Sequence, residues 1–301
     1  MSDTLVTGGS GMVGTAISRG IKMSSKDCDL RDWVQTIEYF EKVKPKYVLH
    51  CAAKVGGVAG NMAAKGTFYY ENTLINAHTL EASRLVGVDK LVSFLSTCVF
   101  PDPIDYPLTE KKVHLGPPHK SNYGYAYTKR MLDVQTECYR EQYGVNYICV
   151  IPTNIYGTHD NFNLETGHAI PSLIHRCYLA KQNKEDFVVW GSGKPLREFI
   201  FAEDVAGLLE WSLDNYNESE PIILSNAEEI SIKDAVDTIV EKMNYKGNVV
   251  WDSEKPDGQF RKQSDNSKLL SYLPDVKFTP FDVGIEKTVN WFIENYEGAR
   301  K

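Results

Sequence analysis

The chain has 301 residues, 42% of them hydrophobic, and a formal net charge of −7. That length supports a large core, in one big domain or two joined ones. Its 33 basic and 40 acidic residues are spread without a basic block or aromatic–basic interleaving, which excludes nucleic acid as the expected partner but leaves room for a phosphorylated ligand held by a few local cations.

In chain order, "TLVTGG" reads as a buried strand and "GMVGTAISRG" as the helix behind it. Between them Gly8, Gly11 and Gly14 follow G-x-x-G-x-x-G. A tight turn there uses glycine's freedom in φ, a missing side chain lets the backbone approach a pyrophosphate, and a third glycine lets the helix pack closely on the sheet. The helix N-terminus then faces the anion with unpaired N–H groups. A carboxylate at the end of the second strand would select NAD. Here "IKMSSKDCDL" offers Ser24, Ser25 and Lys26 instead, hydroxyls and a cation that suit a 2′-phosphate, with Asp27 directly behind. The expected cofactor is NADP(H).

"LRDWVQTIEYFEKV" follows a helical pattern, and "PKYVLHCAA" is a strand after a proline boundary. Val55, Gly56 and Gly57 behind it form a glycine-rich loop where the nicotinamide half would lie. "GTFYYENTLINAHTLEASRLVG" is a long helix. "DKLVSFLST" has the near-continuous apolar run of a strand covered on both faces. "YAYTKRMLDVQTECYREQYG" is a second long helix, stopped at Gly144, and "VNYICVIPT" is another buried strand. Such alternation builds right-handed βαβ units. The expected fold is α/β, a Rossmann-type doubly wound parallel sheet. After Pro152 the polar stretch "NIYGTHDNFNLETGH" is long for an ordinary connection. We expect residues 1–152 to form the NADP-binding domain and 153–301 mainly a smaller α/β substrate-binding domain, with segments such as 196–213 returning to the first.

Tyr125 and Lys129 stand at i and i+4, on one face of a helix. A nearby ammonium favours phenolate and should lower the tyrosine pKa from about 10. Tyr123 and Tyr127 lack a lysine four residues on. Ser96 ends the strand "LVSFLS", at the carboxyl edge where ligands sit in such sheets. Of the seven histidines, His50, His114, His119, His159 and His175 carry no comparable context. Six cysteines (Cys28, Cys51, Cys98, Cys138, Cys149 and Cys177) show no CxxC pair and no zinc spacing, so no metal is expected, and five of them read as buried reduced thiols. No apolar stretch approaches the roughly 20 residues that span a bilayer, and the N-terminus reads as a strand rather than a signal peptide. A soluble cytoplasmic protein without membrane contact is expected.

With "AAKVGGVAGN", "LSTCVFP", "NYGYAYTKRMLDVQ", "PTNIYGTHDNFN", "GHAIPSLIHR", "VWGSGKPLREFIFAEDVA" and "PDGQFRK", the chain resembles the extended short-chain dehydrogenase/reductase family, and within it the GDP-sugar 3,5-epimerase–4-reductases, along nearly its whole length. The resemblance implies conversion of GDP-4-keto-6-deoxy-D-mannose to GDP-L-fucose. Cys98 and His168 would be the acid–base pair that inverts C3 and C5. Tyr125, Lys129 and Ser96 would serve the NADPH-dependent reduction at C4. Cofactor contacts would come from Gly8, Ser10, Gly11, Met12, Val13, Gly14, Lys26, Asp29, Leu30, Ala53, Val55, Pro152 and Asn154, together with Tyr125, Lys129 and His168. Arg176, Arg197 and Lys262 are candidates for the diphosphate, because such cations grip phosphate oxygens. Asn154, Asn163 and Trp190 would also border the nucleotide sugar. A homodimer is expected through the helices bearing Tyr69–Leu85 and Tyr125–Tyr143.

Three rivals share the glycine turn. A dehydratase would place an Asp–Glu pair after the strand-end hydroxyl, where this chain has Ser96-Thr97-Cys98-Val99. A simple 4-epimerase has no use for a thiol–imidazole pair. A non-catalytic dinucleotide sensor has no need of Tyr125 and Lys129.

Overall fold

Six parallel strands, in the order β2-β1-β3-β4-β5-β9, carry the rest of the protein in a computed structural model that describes residues 3–255, 257 and 259–301. In the quoted "PDGQFRK", Pro256 and Gly258 lie outside the described residues. The first half runs β1 (Thr4–Thr7), α1 (Met12–Ala16), β2 (Ile21–Met23), α2 (Trp33–Val43), β3 (Tyr47–His50), α3 (Val58–Ala63), α4 (Lys65–Leu85), β4 (Lys90–Phe94), α5 (Tyr123–Tyr143) and β5 (Asn146–Pro152). The second runs β6 (Asn154–Tyr156), α6 (Ala169–Asn183), β7 (Phe187–Trp190), β8 (Leu196–Phe201), α7 (Ala202–Asn215), β9 (Ile222–Leu224), β10 (Glu229–Ser231), α8 (Ile232–Lys242), β11 (Val249–Asp252), α9 (Ser267–Tyr272) and α10 (Phe281–Glu294). The doubly wound α/β fold expected from the strand–helix alternation is the observed one.

Successive side chains of a strand point to opposite faces, and both faces of this sheet are covered. Leu5, Val48, Leu91 and Ile151 pack with Phe40, Leu80 and Leu132 of α2, α4 and α5. Their neighbours Val6, Leu49, Val92 and Val150 pack on the other side with Val13 and with Val205, Leu209 and Leu213 of α7. Each such buried side chain contributes ~1.5–3 kcal/mol of transfer free energy. A third core unites Phe162, Ile174, Phe187, Phe199, Val236 and Phe292 around two small sheets, β10-β8-β6 and β11-β7. Although α7 and β9 lie late in the chain, they join the large sheet, α7 on its face and β9 beside β5.

Several local expectations change. The first helix covers only Met12–Ala16, because Ile17 turns into the core at 1% exposure and Gly20, at φ +98°, redirects the chain into β2. Glu210 of α7 then accepts from Ser18 N and Oγ, at 2.6 and 2.8 Å, where further helical turns were expected. Ser96 lies two residues beyond β4 rather than ending it. The polar stretch after Pro152 contains β6, paired in parallel with β8. All six cysteines are free, but three rather than five are buried: Cys51 and Cys98 are half-buried and Cys138 is exposed. Among the described residues, no helix is long and apolar enough to cross a membrane, and no His/Cys/Asp/Glu group could hold a metal ion.

Candidate active site

The glycine positions of the turn after β1 have no room for side chains. Gly8 sits at φ +67°, and a Cβ there would stand 2.8 Å from Ala52 N. A Cβ on Gly14 would stand 2.3 Å from the Gly8 carbonyl oxygen, and one on Gly11 3.2 Å from the same atom. Gly9, which the motif does not single out, is equally confined: its Cβ would fall 2.6 Å from Lys22 Cα. A cradle of bare backbone at the carboxyl end of a parallel strand fits a dinucleotide pyrophosphate. Since α1 is a little over one turn long, the fit rests on this bare backbone more than on a helix dipole. Exposed Ser10 and half-buried Met12 flank the turn, while Val13 faces the core.

Lys26 is exposed at the end of β2. Ser24 donates its N–H and hydroxyl to Asp27 Oδ2 at 2.8 and 2.7 Å, so that hydroxyl is already committed. Asp29 is gripped by Arg31 Nε and Nη2 at 2.9 and 2.7 Å, and this guanidinium holds its carboxyl below the usual range. Arg31 also donates to Glu71 at 2.9 Å, which places a second cation at this rim that sequence reading passed over. Leu30 buries its side chain, and its carbonyl accepts from His78 Nδ1 at 2.9 Å. Half-buried Ala53 and exposed Val55 follow β3, and Pro152 is buried at the end of β5.

Tyr125 lies in the first turn of α5, with Lys129 one turn later. Lys129 is 2% exposed, donates from Nζ to Phe94 O at 2.7 Å, and sits 5.7 Å from the centre of the Tyr125 ring. Burial brings its pKa down to about 8, against the neighbouring thiols Cys98, Cys149 and Cys51, which favour the ammonium. The expected lowering of Tyr125 is not what the structure shows. Burial, reinforced by Cys98, drives the phenol well above its ordinary value, while the Lys129 ammonium is directed at a backbone carbonyl.

Ser96 and Cys98 stand on the 3-10 turn that follows β4, where Cys98 N–H donates to Ser96 Oγ at 3.3 Å. Burial raises the Cys98 thiol, while the Ser96 hydroxyl, Lys262 and Lys129 pull it down, so sulfur, phenol, hydroxyl and ammonium share one strand end. His168 precedes α6 and makes no capping bond. Its ring keeps solvent contact, yet the protein around it lowers its pKa. The neighbouring loop is brought to the carboxyl edge of β3: Gly57 N–H donates to Thr166 O at 2.7 Å, and a Gly57 Cβ would stand 2.5 Å from Gly167 O.

Cys98 and Lys262 line one cavity with Tyr106, His119 and Asn122. Arg197, on β8, is near enough to Lys262 to lower its pKa further after burial. Arg176 is stacked 4.1 Å over the Trp190 ring, which is 54% exposed. Lys255 lies 5.7 Å from the same ring. Asn154 donates to Glu198 O at 2.8 Å. Asn163 Oδ1 accepts from Glu165 N, Thr166 N and Thr166 Oγ1 at 3.0, 2.9 and 3.0 Å, so it organises the loop that leads to His168. Tyr106 and Lys255 had no readable local signal, because their partners Arg261 and Trp190 are distant in sequence.

Comparison with known proteins finds relatives along the whole chain. The model of the NAD dependent epimerase/dehydratase family matches residues 4–225. A GDP-L-fucose synthase of Dictyostelium discoideum is 49% identical over 99% of this chain and 97% of its own length. A probable GDP-L-fucose synthase of Drosophila melanogaster is 44% identical over the whole of both chains. Among solved structures, a GDP-L-fucose synthetase from Naegleria fowleri bound to NADP superposes with a TM-score of 0.95 at 47% identity, covering 99% of this chain and 94% of that one.

Proposed function

We propose a function on the premise that the chain belongs to the NAD dependent epimerase/dehydratase family, and there to the GDP-L-fucose synthases. It is an NADP-dependent enzyme that converts GDP-4-keto-6-deoxy-D-mannose to GDP-L-fucose by 3,5-epimerisation and reduction at C4. The observation that carries the residue roles is the gathering of Ser96, Cys98, Tyr125 and Lys129 at the carboxyl end of β4, beside a turn that admits only backbone. Residues 1–152 hold the cofactor and 153–301 mainly the nucleotide sugar, with 196–213 returning to the first part.

A 4-keto group acidifies the C–H bonds at C3 and C5. Cys98 is the base for these protons; burial holds its thiol above the ordinary value, with Ser96, Lys262 and Lys129 opposing that rise and favouring the thiolate. His168 exchanges the proton on the opposite face, as an imidazole can near neutrality. NADPH supplies the hydride to C4 when bound. Tyr125 gives its proton to the C4 oxygen, Ser96 holds that oxygen by hydrogen bond, and Lys129 supports the tyrosine with its ammonium. Arg176, Arg197 and Lys262 grip the diphosphate, Trp190 borders the nucleotide, and Asn154 and Asn163 border the sugar.

Six free cysteines suit a reducing cytoplasm. A homodimer forms through α4 and α5, which pack on each other and expose Tyr69, Tyr70, Leu85, Met131 and Tyr143; light scattering that returned the single-chain mass of 34.0 kDa would exclude it. The decisive experiment for the reaction is incubation with GDP-4-keto-6-deoxy-D-mannose and NADPH. NADPH oxidation with a product inverted at C3 and C5 is expected; a product that keeps the mannose configuration would overturn the assignment.

A further inference from the structure

Behind the catalytic lysine runs an unbroken chain of buried polar groups to which the mechanism assigns no role. Thr7 Oγ1 meets His50 Nδ1 at 2.8 Å, and His50 Nε2 meets Asn76 Oδ1 at 3.2 Å. Asn76 Nδ2 donates to Thr128 O at 3.3 Å, and Thr128 Oγ1 donates to Tyr125 O at 2.7 Å. Thr7, His50, Asn76 and Thr128 are at most 3% exposed.

For a neutral imidazole the bonding pattern admits one assignment of hydrogens. The Asn76 amide donates to the Thr128 carbonyl, so its oxygen accepts, and His50 Nε2 carries the hydrogen. Nδ1 then accepts from the Thr7 hydroxyl, whose oxygen accepts from Ala52 N–H at 3.2 Å. His50 is thereby the neutral Nε2–H tautomer. Burial and the Lys129 ammonium facing it both oppose an imidazolium and hold its pKa down to about 3. Lys129 in turn faces Cys98, Cys149 and Cys51.

The two ends of the chain are what give it meaning. Thr7 directly precedes Gly8, the turn that cradles the cofactor. Thr128 directly precedes Lys129, and its hydroxyl bonds the carbonyl of Tyr125. We propose that His50 and Asn76 are positioning residues that hold the cofactor turn and the Tyr125–Lys129 turn of α5 in fixed register. This rests on the reductase reading of the site.

Substitutions that each keep one half of the link separate this role from simple packing. In His50→Asn the shorter amide oxygen replaces Nδ1 towards Thr7 and the reach to Asn76 is lost. NADPH affinity should hold, while kcat for ketone reduction at saturating NADPH falls about tenfold or more, the scale on which misplaced reacting groups lose rate. In His50→Gln the amide nitrogen replaces Nε2 towards Asn76. NADPH affinity should weaken while kcat holds. His50→Phe should lose both. If the two polar variants lower Tm and change Kd and kcat alike, the residue merely fills space and the proposal is wrong. NMR of the unaltered protein gives a check that needs neither substrate nor variant. The His50 ring should show the Nε2–H tautomer and no titration from about pH 5.5 to 8, below and above the ordinary histidine value. An Nδ1–H ring, or one that titrates in that window, overturns the proposal even where the reaction is as stated.

Discussion

Alanine at Gly14 puts the cradle to a quantitative test. Its Cβ would lie 2.3 Å from the Gly8 carbonyl oxygen, about 1.1 Å closer than the 3.4 Å at which ordinary contact begins. One atom is backbone and the other is fixed to it, so no rotamer relieves the overlap. Either α1 or the Gly8 turn must move by about an ångström. The helix is not free to do so, because Val13 and Ile17 are buried against Val205 and Leu209 of α7. Overpacking of this kind costs ~1–3 kcal/mol. A shift taken up by the turn removes that free energy from cofactor binding, which corresponds to about a 5- to 150-fold rise in the NADPH Kd. Gly207 supplies the control. It lies within α7 with nothing within 4 Å of an added Cβ, so Gly207→Ala should leave Kd unchanged and stabilise the fold by ~0.4–1 kcal/mol. NADPH fluorescence titration with a parallel Tm measurement reads both variants. A Gly14→Ala protein with native Kd and native Tm would refute the account of the turn as a space reserved for backbone.

Tyr125→Phe should lower ketone reduction by about 10²-fold or more, the usual scale for loss of a general acid, with NADPH still bound; wild-type single-turnover rates would remove the phenol from that role. Cys98→Ser should abolish deuterium exchange at C3 and C5 while NADPH affinity persists, and undiminished wash-in by NMR would dismiss the sulfur as base. Lys26→Ala should weaken NADPH by about two- to fivefold, the worth of one exposed charge, with little effect on NADH; equal losses for both would show that it does not read the 2′-phosphate. Asp160 carries a pH prediction. One oxygen accepts from Asn161 N–H at 2.6 Å, the other is buried without a partner, and burial raises its pKa from 3.8 to about 7. A carboxyl raised on folding binds more protons in the native state between those values, so its contribution is present in acid and is lost as pH rises through about 7. Asp160→Asn should therefore gain stability relative to the native protein at pH 8 compared with pH 5; parallel denaturation curves at both pH values would contradict this.

What the sequence made legible follows from how local each signal is. Gly14 was readable because the atoms that forbid its side chain belong to the same turn, and Gly8 because the turn holds it at φ +67°, a conformation that side chains disfavour. Gly9 was not, since what confines it is Lys22 on the neighbouring strand. Tyr125 and Lys129 were readable from a four-residue spacing. Where the ammonium points was not, because the acceptor is the Phe94 carbonyl, 35 residues away. Without that contact in view, the proximity of lysine to tyrosine suggested a lowered phenol pKa, and burial in fact raises it. The roles of Cys98 and His168 came from resemblance alone. A single cysteine and a single histidine 70 positions apart have no periodicity that links them.

His50 shows the same limit from the other side. On its strand it looks like one more interior residue, and its two ring partners lie 43 and 26 residues away. Only the register of β1 with β3, which sets Thr7 opposite His50, and the packing of α4 against α5 bring the four polar groups into line. The first helix failed for a related reason. Its pattern is helical through Gly20, but a core position at Ile17 and a carboxylate from α7 end it at Ala16. Local spacing thus pointed to a candidate site at the carboxyl ends of the strands, and long-range contacts set the burial and charge around its titratable groups.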